Sequence, residues 1–196
     1  MKKIMFNDRY GLTQAVIEGR KTMTRRMISG YPLQPSDRIE DARICPDGFI
    51  SIIANGGESL MEVKCRYKVG EIVAVAQNYS SFYNILDNTR PIPEGAGWNN
   101  KMFVRADLMP FQIRITGIKC ERLQDISNEE CLREGIRQFT PNFPKNLPIH
   151  PTHFVVGDIL KDTPREAFAA LIDKVSGKGT WTSNPWVVAY EFELVE

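Results

Sequence analysis

The sequence lacks the features that would place the protein in a membrane or in an oxidising compartment. No stretch of its 196 residues approaches the ~18 apolar residues that a membrane helix needs. The N-terminus carries two lysines but no apolar run with a small-residue cleavage site, so no secretory signal is predicted. The four cysteines are scattered without a C-x-x-C pair, which favours reduced thiols. We therefore expect a cytoplasmic protein that binds no membrane.

Signals for metals and cofactors are also scarce. The only two histidines, His150 and His153, lie in a proline-rich segment without a third ligand at metal spacing, so a loop that packs its imidazoles is the better interpretation. No Gly-rich phosphate loop is present. The adjacent acids Glu129 and Glu130 are explained by a helix cap. We expect no metal and no cofactor.

The charge balance directs attention to one local cluster. The formal net charge is only +1, whereas nucleic-acid-binding domains are usually strongly basic. An anionic ligand must therefore be met by a local concentration of cations. In the segment Arg20–Arg26 four of seven residues are cationic and two are threonines. On charge alone this segment is either a solvated strand face or a set of side chains that converge on one polar or anionic ligand.

Apolar periodicity predicts an α+β domain, a small curled sheet or barrel of five or six strands with two or three short helices. Strands are predicted at residues 4–6, near 49–53, and at 72–76, 111–116 and 186–194. A helix capped by Asn7 or Asp8 is expected to end at Gly19. Two further helices begin at the S/T-x-x-E capping boxes that start at Ser127 and Thr163. The first of these is expected to stop at Gly135.

The whole chain, residues 1–196, is interpreted as one domain with three insertions. They fall at about 29–66, 78–100 and 139–160, where proline, glycine and charged residues are concentrated. The first holds one predicted strand. Residues 139–152 hold four prolines and are poor candidates for regular structure.

Four sequence blocks resemble the ASCH domain family of the PUA-like superfamily. Gly19, Lys21 and Arg26 match its G-x-K-x-x-x-x-R signature. The other blocks are residues 67–73, residues 123–127 with 134–136, and residues 184–192. The last two, with Trp181 ahead of the final one, look most like ASCH proteins of bacteriophages and prophages. The resemblance implies a small β-barrel of mostly antiparallel strands, linked to RNA.

A narrower resemblance concerns catalysis. Small bacterial ASCH proteins that hydrolyse N4-acetylcytidine carry a Lys, a Thr and a Glu, and the resemblance places these on Lys21, Thr24 and Glu134. A threonine nucleophile needs a neighbouring base, and a lysine serves as one only where burial depresses its pKa. On a regular strand Lys21 and Thr24 would point to opposite faces, so this set requires a turn or bulge near Lys21.

Three hypotheses about function follow. The first is a module that binds RNA or a modified nucleoside, and its candidate ligand contacts are Gly19, Arg20, Lys21, Thr24, Arg25, Arg26 and Trp181. The second is an amidohydrolase that cleaves an N4-acylated cytidine. The third is a phage-encoded module that grips an unidentified host protein through its insertions.

Overall fold

The computed structural model describes residues 1–28, 39–45, 48–54, 56, 58–83, 93–140 and 152–195. In these residues the chain forms eleven strands and four α-helices, joined by 3-10 turns and loops. The strands are, in chain order, β1 (Lys2–Ile4), β2 (Met23–Met27), β3 (Ile39–Ile44), β4 (Phe49–Ala54), β5 (Glu58–Lys64), β6 (Ile72–Val75), β7 (Gln112–Arg122), β8 (Arg137–Phe139), β9 (His153–Val156), β10 (Ile159–Lys161) and β11 (Trp186–Val195). The helices are α1 (Leu12–Ile17), α2 (Asn128–Arg133), α3 (Pro164–Ser176) and α4 (Thr180–Ser183). The predicted α+β class is confirmed.

A five-stranded sheet forms the centre of the fold, with the strand order β1-β6-β7-β11-β2. β1 and β6 are parallel, and the other neighbouring strands are antiparallel. The apolar run at 72–76 forms β6, and its residues Val73, Ala74 and Val75 have no exposed surface. A run that contains no polar residue to face water is typical of a strand buried on both faces.

The two edge strands of this sheet, β1 and β2, are not paired with each other, so the described residues form no closed barrel. A side chain connects them instead, because Arg26 on β2 donates a hydrogen bond from Nη2 to the main-chain oxygen of Met5 at 2.6 Å. The sheet therefore curls until its edges approach, and a gap remains between β1 and β2.

The segment predicted as the first insertion contains a second sheet. β3, β4 and β5 form an antiparallel meander, and β4 confirms the strand predicted near 49–53. Its residues Ile50 and Ile52 are buried in the main core. The meander is fixed to the central sheet by Arg122 of β7, which donates to the main-chain oxygen of Ile39 at 2.8 Å.

The last predicted insertion also holds regular structure. β8, β9 and β10 form a third sheet in the order β10-β9-β8, and α3 packs against it. Most of the proline-rich segment, residues 141–151, lies outside the described residues. The sheet was not predicted because β8 and β10 have only three residues each, too few to show a period.

Local capping rules place the starts of α2 and α3 correctly. Ser127 and Glu130 form the reciprocal capping box of α2. Thr163 caps α3 by accepting from the N–H of Glu166, which is one half of the reciprocal cap that was predicted. The first helix is divided, because Asn7 caps a 3-10 turn and α1 begins only at Leu12. No helix among the described residues is long and apolar enough to cross a membrane.

Alkaline conditions are expected to destabilise the protein from about pH 9 upward. Burial raises the pKa of the Cys131 thiol from 9.0 to about 12 and that of Tyr190 from 10.0 to about 12. The folded chain keeps these protons at pH values where the unfolded chain releases them. The stabilisation is therefore complete below pH 9 and is lost as the pH rises toward 12. Each group adds a slope of roughly 1 kcal/mol per pH unit.

Urea denaturation at pH 8, 9, 10 and 11 measures this slope. In Cys131→Ala the loss of stability between pH 9 and 10 should be smaller than in the wild type, even though the variant starts from a lower stability. A wild-type free energy of unfolding that stays constant from pH 8 to pH 11 would contradict the prediction.

Candidate functional site

The basic segment leads from α1 into β2. Gly19 has φ +70°, a left-handed conformation that turns the chain away from α1 at the predicted stop. The N–H of Lys21 then donates to the carbonyl of Ala15 at 2.8 Å. Regular strand geometry begins only at Met23, so Lys21 lies in a turn that precedes β2. This is the irregularity that Lys21 and Thr24 need in order to face one space.

Within β2 the side chains alternate between two environments. Thr24 and Arg26 share one face of the strand and Arg25 lies on the other, as the two-residue period of a strand requires. Arg26 reaches the main-chain oxygen of Met5, whereas Arg25 reaches the carboxylate of Glu121 at 2.6 Å. The two adjacent arginines therefore have different roles.

Lys21 is a buried ammonium with three acceptors. It is 2% exposed, and its Nζ donates to Glu134 Oε2 at 2.6 Å, to the Glu134 main-chain oxygen at 2.8 Å and to the Met23 oxygen at 2.8 Å. Burial lowers the pKa of Lys21 below its ordinary value, and the Glu134 carboxylate acts in the opposite direction. The three acceptors thus stabilise the charged form of Lys21, whereas its burial favours the neutral form.

Glu134 joins Lys21 to a larger ion network. Its Oε1 accepts from Arg25 Nη1 at 3.1 Å, and Arg25 also pairs with two other carboxylates. Although burial acts to lower the pKa of Arg25, these carboxylates outweigh it and raise that pKa. The ion network consists of three cations and three anions, Lys21, Arg25, Lys119, Glu121, Glu130 and Glu134. Its charges balance.

Glu134 occupies a position where a carboxylate is unfavourable by itself. It follows the last residue of α2, and the C-terminal end of a helix repels negative charge. The two cations beside it offset this effect. The next residue, Gly135, has φ +104°, and a Cβ there would lie 3.5 Å from Lys21 Cβ. That distance is an ordinary van der Waals contact, so the position favours glycine because of its positive φ and not because of space beside the lysine.

A cavity of about 480 Å³ lies in the gap between β1 and β2. Residues that follow β1, among them Phe6, line one side of it, and Thr24 and Arg26 of β2 line the other. Lys21 and Glu134 also line it. The three residues that the family resemblance marks as catalytic thus share one cavity. The Thr24 hydroxyl makes no hydrogen bond to another described residue.

The rest of the cavity wall is largely apolar. Helix α3 contributes four apolar side chains, Phe168, Leu171, Ile172 and Val175, and ends at the lining residue Ser176. The meander adds Ile50 and Val63. The volume lies within the range of small-molecule sites, which are mostly apolar with a few placed polar groups. An occupant would therefore have both an apolar and a polar part.

Unpaired cations stand at the exposed part of the cavity. Arg26, Lys64 and Arg66 are exposed lining residues, and no ion pair of the described chain includes them. Arg66 Cζ lies 5.7 Å from the ring centroid of Tyr67. The main-chain N–H of Arg66 donates to the hydroxyl of Tyr190 at 3.2 Å, and Tyr190 lies opposite Thr24 in the sheet. These contacts bring the end of the meander to the cavity.

Three of the predicted ligand contacts do not line the cavity: Gly19, Arg20 and Trp181. Arg20 pairs with Glu18 at 2.5 Å. Trp181 lies in α4 and packs edge-on against Phe168 with the ring centroids 6.1 Å apart. Lys21, Thr24, Arg25 and Arg26 do line it, although the Arg25 guanidinium is engaged by carboxylates.

Sequence reasoning missed several residues of the cavity. Arg66 carries no local signal, because it falls in an apparent insertion just before the recognised block at 67–73. Tyr190 and Phe168 were assigned only to a strand and a helix. A pattern reveals that such residues are buried but not which cavity they line.

The described residues contain no cluster of histidine, cysteine and acidic side chains that could hold a metal ion. His153 pairs with Asp162 at 3.1 Å, and His150 lies outside the described residues. No protein-family model, curated protein or solved structure matches the chain. The function is therefore inferred from the cavity and from the four sequence blocks.

Proposed function

We propose that the protein is an ASCH/PUA-like domain that binds RNA or a modified nucleoside in the cavity around Lys21–Arg26. The observation that carries this proposal is the cavity itself, which joins exposed, unpaired cations to an apolar wall. A nucleoside or a nucleotide of RNA has the matching division, since its base offers a flat apolar face and its ribose, or ribose and phosphate, is polar. In this proposal the central sheet is a PUA-like barrel held open where the ligand enters.

The lining residues offer a contact for each part of such a ligand. The base would pack between Phe6 and the α3 side chains, since aromatic and apolar groups stack on any base. Thr24 would donate to or accept from the base edge, because a hydroxyl does both. Arg26 would contact the sugar or phosphate, and its fixed position beside Met5 lowers the cost of ordering it.

Binding is expected to depend on Arg26. Arg26→Gln should weaken the binding of single-stranded RNA or of N4-acetylcytidine about tenfold, because a hydrogen bond from a charged donor contributes roughly 1.5–3 kcal/mol. Isothermal titration at low salt measures this. Arg114→Gln is a matched control, since Arg114 is exposed, pairs with Glu193 and does not line the cavity. Equal affinities for the wild type and both variants would refute the proposal.

A second candidate, amidohydrolysis of an N4-acylated cytidine, is favoured by one observation. Lys21, Thr24 and Glu134 line the same cavity, and burial lowers the pKa of Lys21. In this reaction the Lys21 ammonium first gives a proton to Glu134 Oε2, which lies 2.6 Å from its Nζ. The neutral amine then accepts the proton of the Thr24 hydroxyl as the hydroxyl oxygen adds to the acyl carbon. The tetrahedral oxyanion then collapses, and the departing cytidine amine takes the proton from Lys21. Water hydrolyses the threonine ester and releases the acid. Arg26 or main-chain N–H groups would stabilise the oxyanion.

Thr24 variants separate binding from turnover. Thr24→Val should abolish the release of acetate from N4-acetylcytidine while ligand binding weakens by no more than about tenfold, the effect of one neutral hydrogen bond. Thr24→Ser should retain turnover because it keeps the nucleophile. Chromatography after long incubation, with several acyl groups, provides the measurement. Intact substrate in the presence of saturable binding would exclude the enzyme and leave the binding module.

A further inference from the structure

Arg26 and Arg66 come from distant parts of the chain and face the same cavity. Arg26 belongs to β2, and Arg66 follows β5 at the end of the meander. Both are exposed. Arg26 is positioned by the Met5 oxygen and by the Phe6 ring, whose centroid lies 5.8 Å from its Cζ. Two separate elements therefore present guanidinium groups at one opening.

The charges of the two guanidinium groups repel each other, and neither group forms an ion pair within the described residues. The surrounding protein removes water from the Arg26 guanidinium and lowers its pKa. The charge of Arg66 acts in the same direction, whereas Tyr67 and the Glu134 carboxylate act in the opposite one. An arginine nevertheless stays charged in a protein. Neighbouring cations behave differently, since Lys21 and Arg25 are matched by carboxylates of the ion network. The excess positive charge of the described lining thus belongs to Arg26, Arg66 and Lys64.

We propose that Arg26 and Arg66 form a phosphate subsite at the opening of the cavity, so that the preferred ligand is a phosphorylated nucleotide and not a neutral nucleoside. This inference rests on the proposed function, which places a base and ribose in the cavity. Planar guanidinium groups bind phosphate oxygens in pairs, and two of them match a phosphate dianion in charge. Lys64 lies two residues before Arg66 and adds a further exposed cation.

The test compares the affinity of each nucleoside with that of its own 5′-monophosphate. Both ligands carry the same base, so any difference in affinity comes from the phosphate. The four common ribonucleosides and N4-acetylcytidine are titrated against the full chain at 50 mM salt. We expect each monophosphate that binds to do so at least about tenfold more tightly than its nucleoside. Arg66→Gln should remove most of this advantage, because it should weaken the binding of the monophosphate much more than the binding of the nucleoside. Arg114→Gln should leave both affinities unchanged, and circular dichroism confirms that the variants are folded.

The outcomes separate the subsite from the proposed function. If a nucleoside and its monophosphate bind equally and Arg66→Gln changes neither, the phosphate subsite is refuted while nucleoside binding stands. If no nucleoside, nucleotide or RNA binds, the proposed function fails and the subsite fails with it. Inorganic phosphate that binds as tightly as the monophosphates would indicate a general anion site and would also overturn the inference.

A salt titration distinguishes the two sources of the phosphate, a free nucleotide and an RNA strand. A ten-nucleotide single-stranded RNA and the matching monophosphate are titrated between 50 and 300 mM salt. A phosphate within RNA gives a steep dependence of log affinity on log salt, since each neutralised phosphate adds about 0.7 to the slope. A slope near one for both ligands indicates that one phosphate is bound. A slope several times larger for the RNA indicates that several phosphates of the polymer are bound.

Discussion

Glu134→Ala is expected to lower the free energy of unfolding by about 3–5 kcal/mol, the usual cost of removing one partner from a buried ion pair. The Glu134 side chain is buried and accepts from Lys21 at 2.6 Å and from Arg25 at 3.1 Å. Without it the Lys21 ammonium keeps only its two main-chain acceptors and no anion of its own. Because whole domains have only about 5–15 kcal/mol of stability, such a variant would be close to unfolding.

Urea denaturation followed by circular dichroism measures the loss. Glu193→Ala is the control, because Glu193 forms an exposed pair with Arg114 and its removal should cost less than about 0.5 kcal/mol. Adding Lys21→Met to Glu134→Ala should recover part of the stability, since the unpaired charge is then gone. A loss below about 1 kcal/mol for Glu134→Ala would mean that water from the cavity solvates Lys21, and that the ion pair of Lys21 with Glu134 is not shielded from water.

Elements governed by local rules were predictable from the sequence. The capping box at Ser127, the stop at Gly19 and the long strand at the C-terminal end all agree with the structure. In each case neighbouring residues settle the outcome, through a side chain that accepts a main-chain N–H or through a two-residue apolar period. The contact of Lys21 with Glu134 spans 113 residues, and only the family resemblance suggested it.

Other features depend on tertiary contacts and gave no local signal. β3 and β5 carry charged residues in an apparently irregular segment, and they form strands because β4 pairs with both. The different roles of Arg25 and Arg26 follow from which face of β2 meets the acidic side chains. The alternation of side chains along a strand predicts that the two arginines lie on opposite faces, but it does not show which one reaches the carboxylates.

The gap between β1 and β2 shows why strand patterns could not decide whether the expected barrel closes. The same alternation serves a closed barrel and a curled open sheet, and closure depends on whether the edge strands can pair. Here the Arg26 side chain connects the edges through the Met5 oxygen. An edge held by a single side chain leaves the space between β1 and β2 open, whereas a continuous ladder of main-chain bonds would close it.

Phe168→Ala is expected to cost about 3–5 kcal/mol of stability and to alter the selectivity of the cavity. The Phe168 ring has no exposed surface, contacts Trp181 edge-on and lies 6.0 Å from the Arg25 guanidinium carbon. Truncation of a buried phenylalanine in a core costs this amount because the surroundings relax only partly. The lost volume adds to the cavity, so affinity for cytidine should fall more than affinity for a cytidine with a bulkier N4-acyl group.

Denaturation and titration of the same variant test both effects. Phe168→Leu keeps an apolar wall and should cost at most about 1.5 kcal/mol, and Phe139→Ala, at a site 49% exposed, should stay within about 0.5 kcal/mol. If Phe168→Ala destabilises the fold but weakens all ligands equally, α3 supports the core without contacting the ligand. Only a change in the order of affinities shows that the ligand lies against α3, because a general loss of stability weakens every ligand by the same factor.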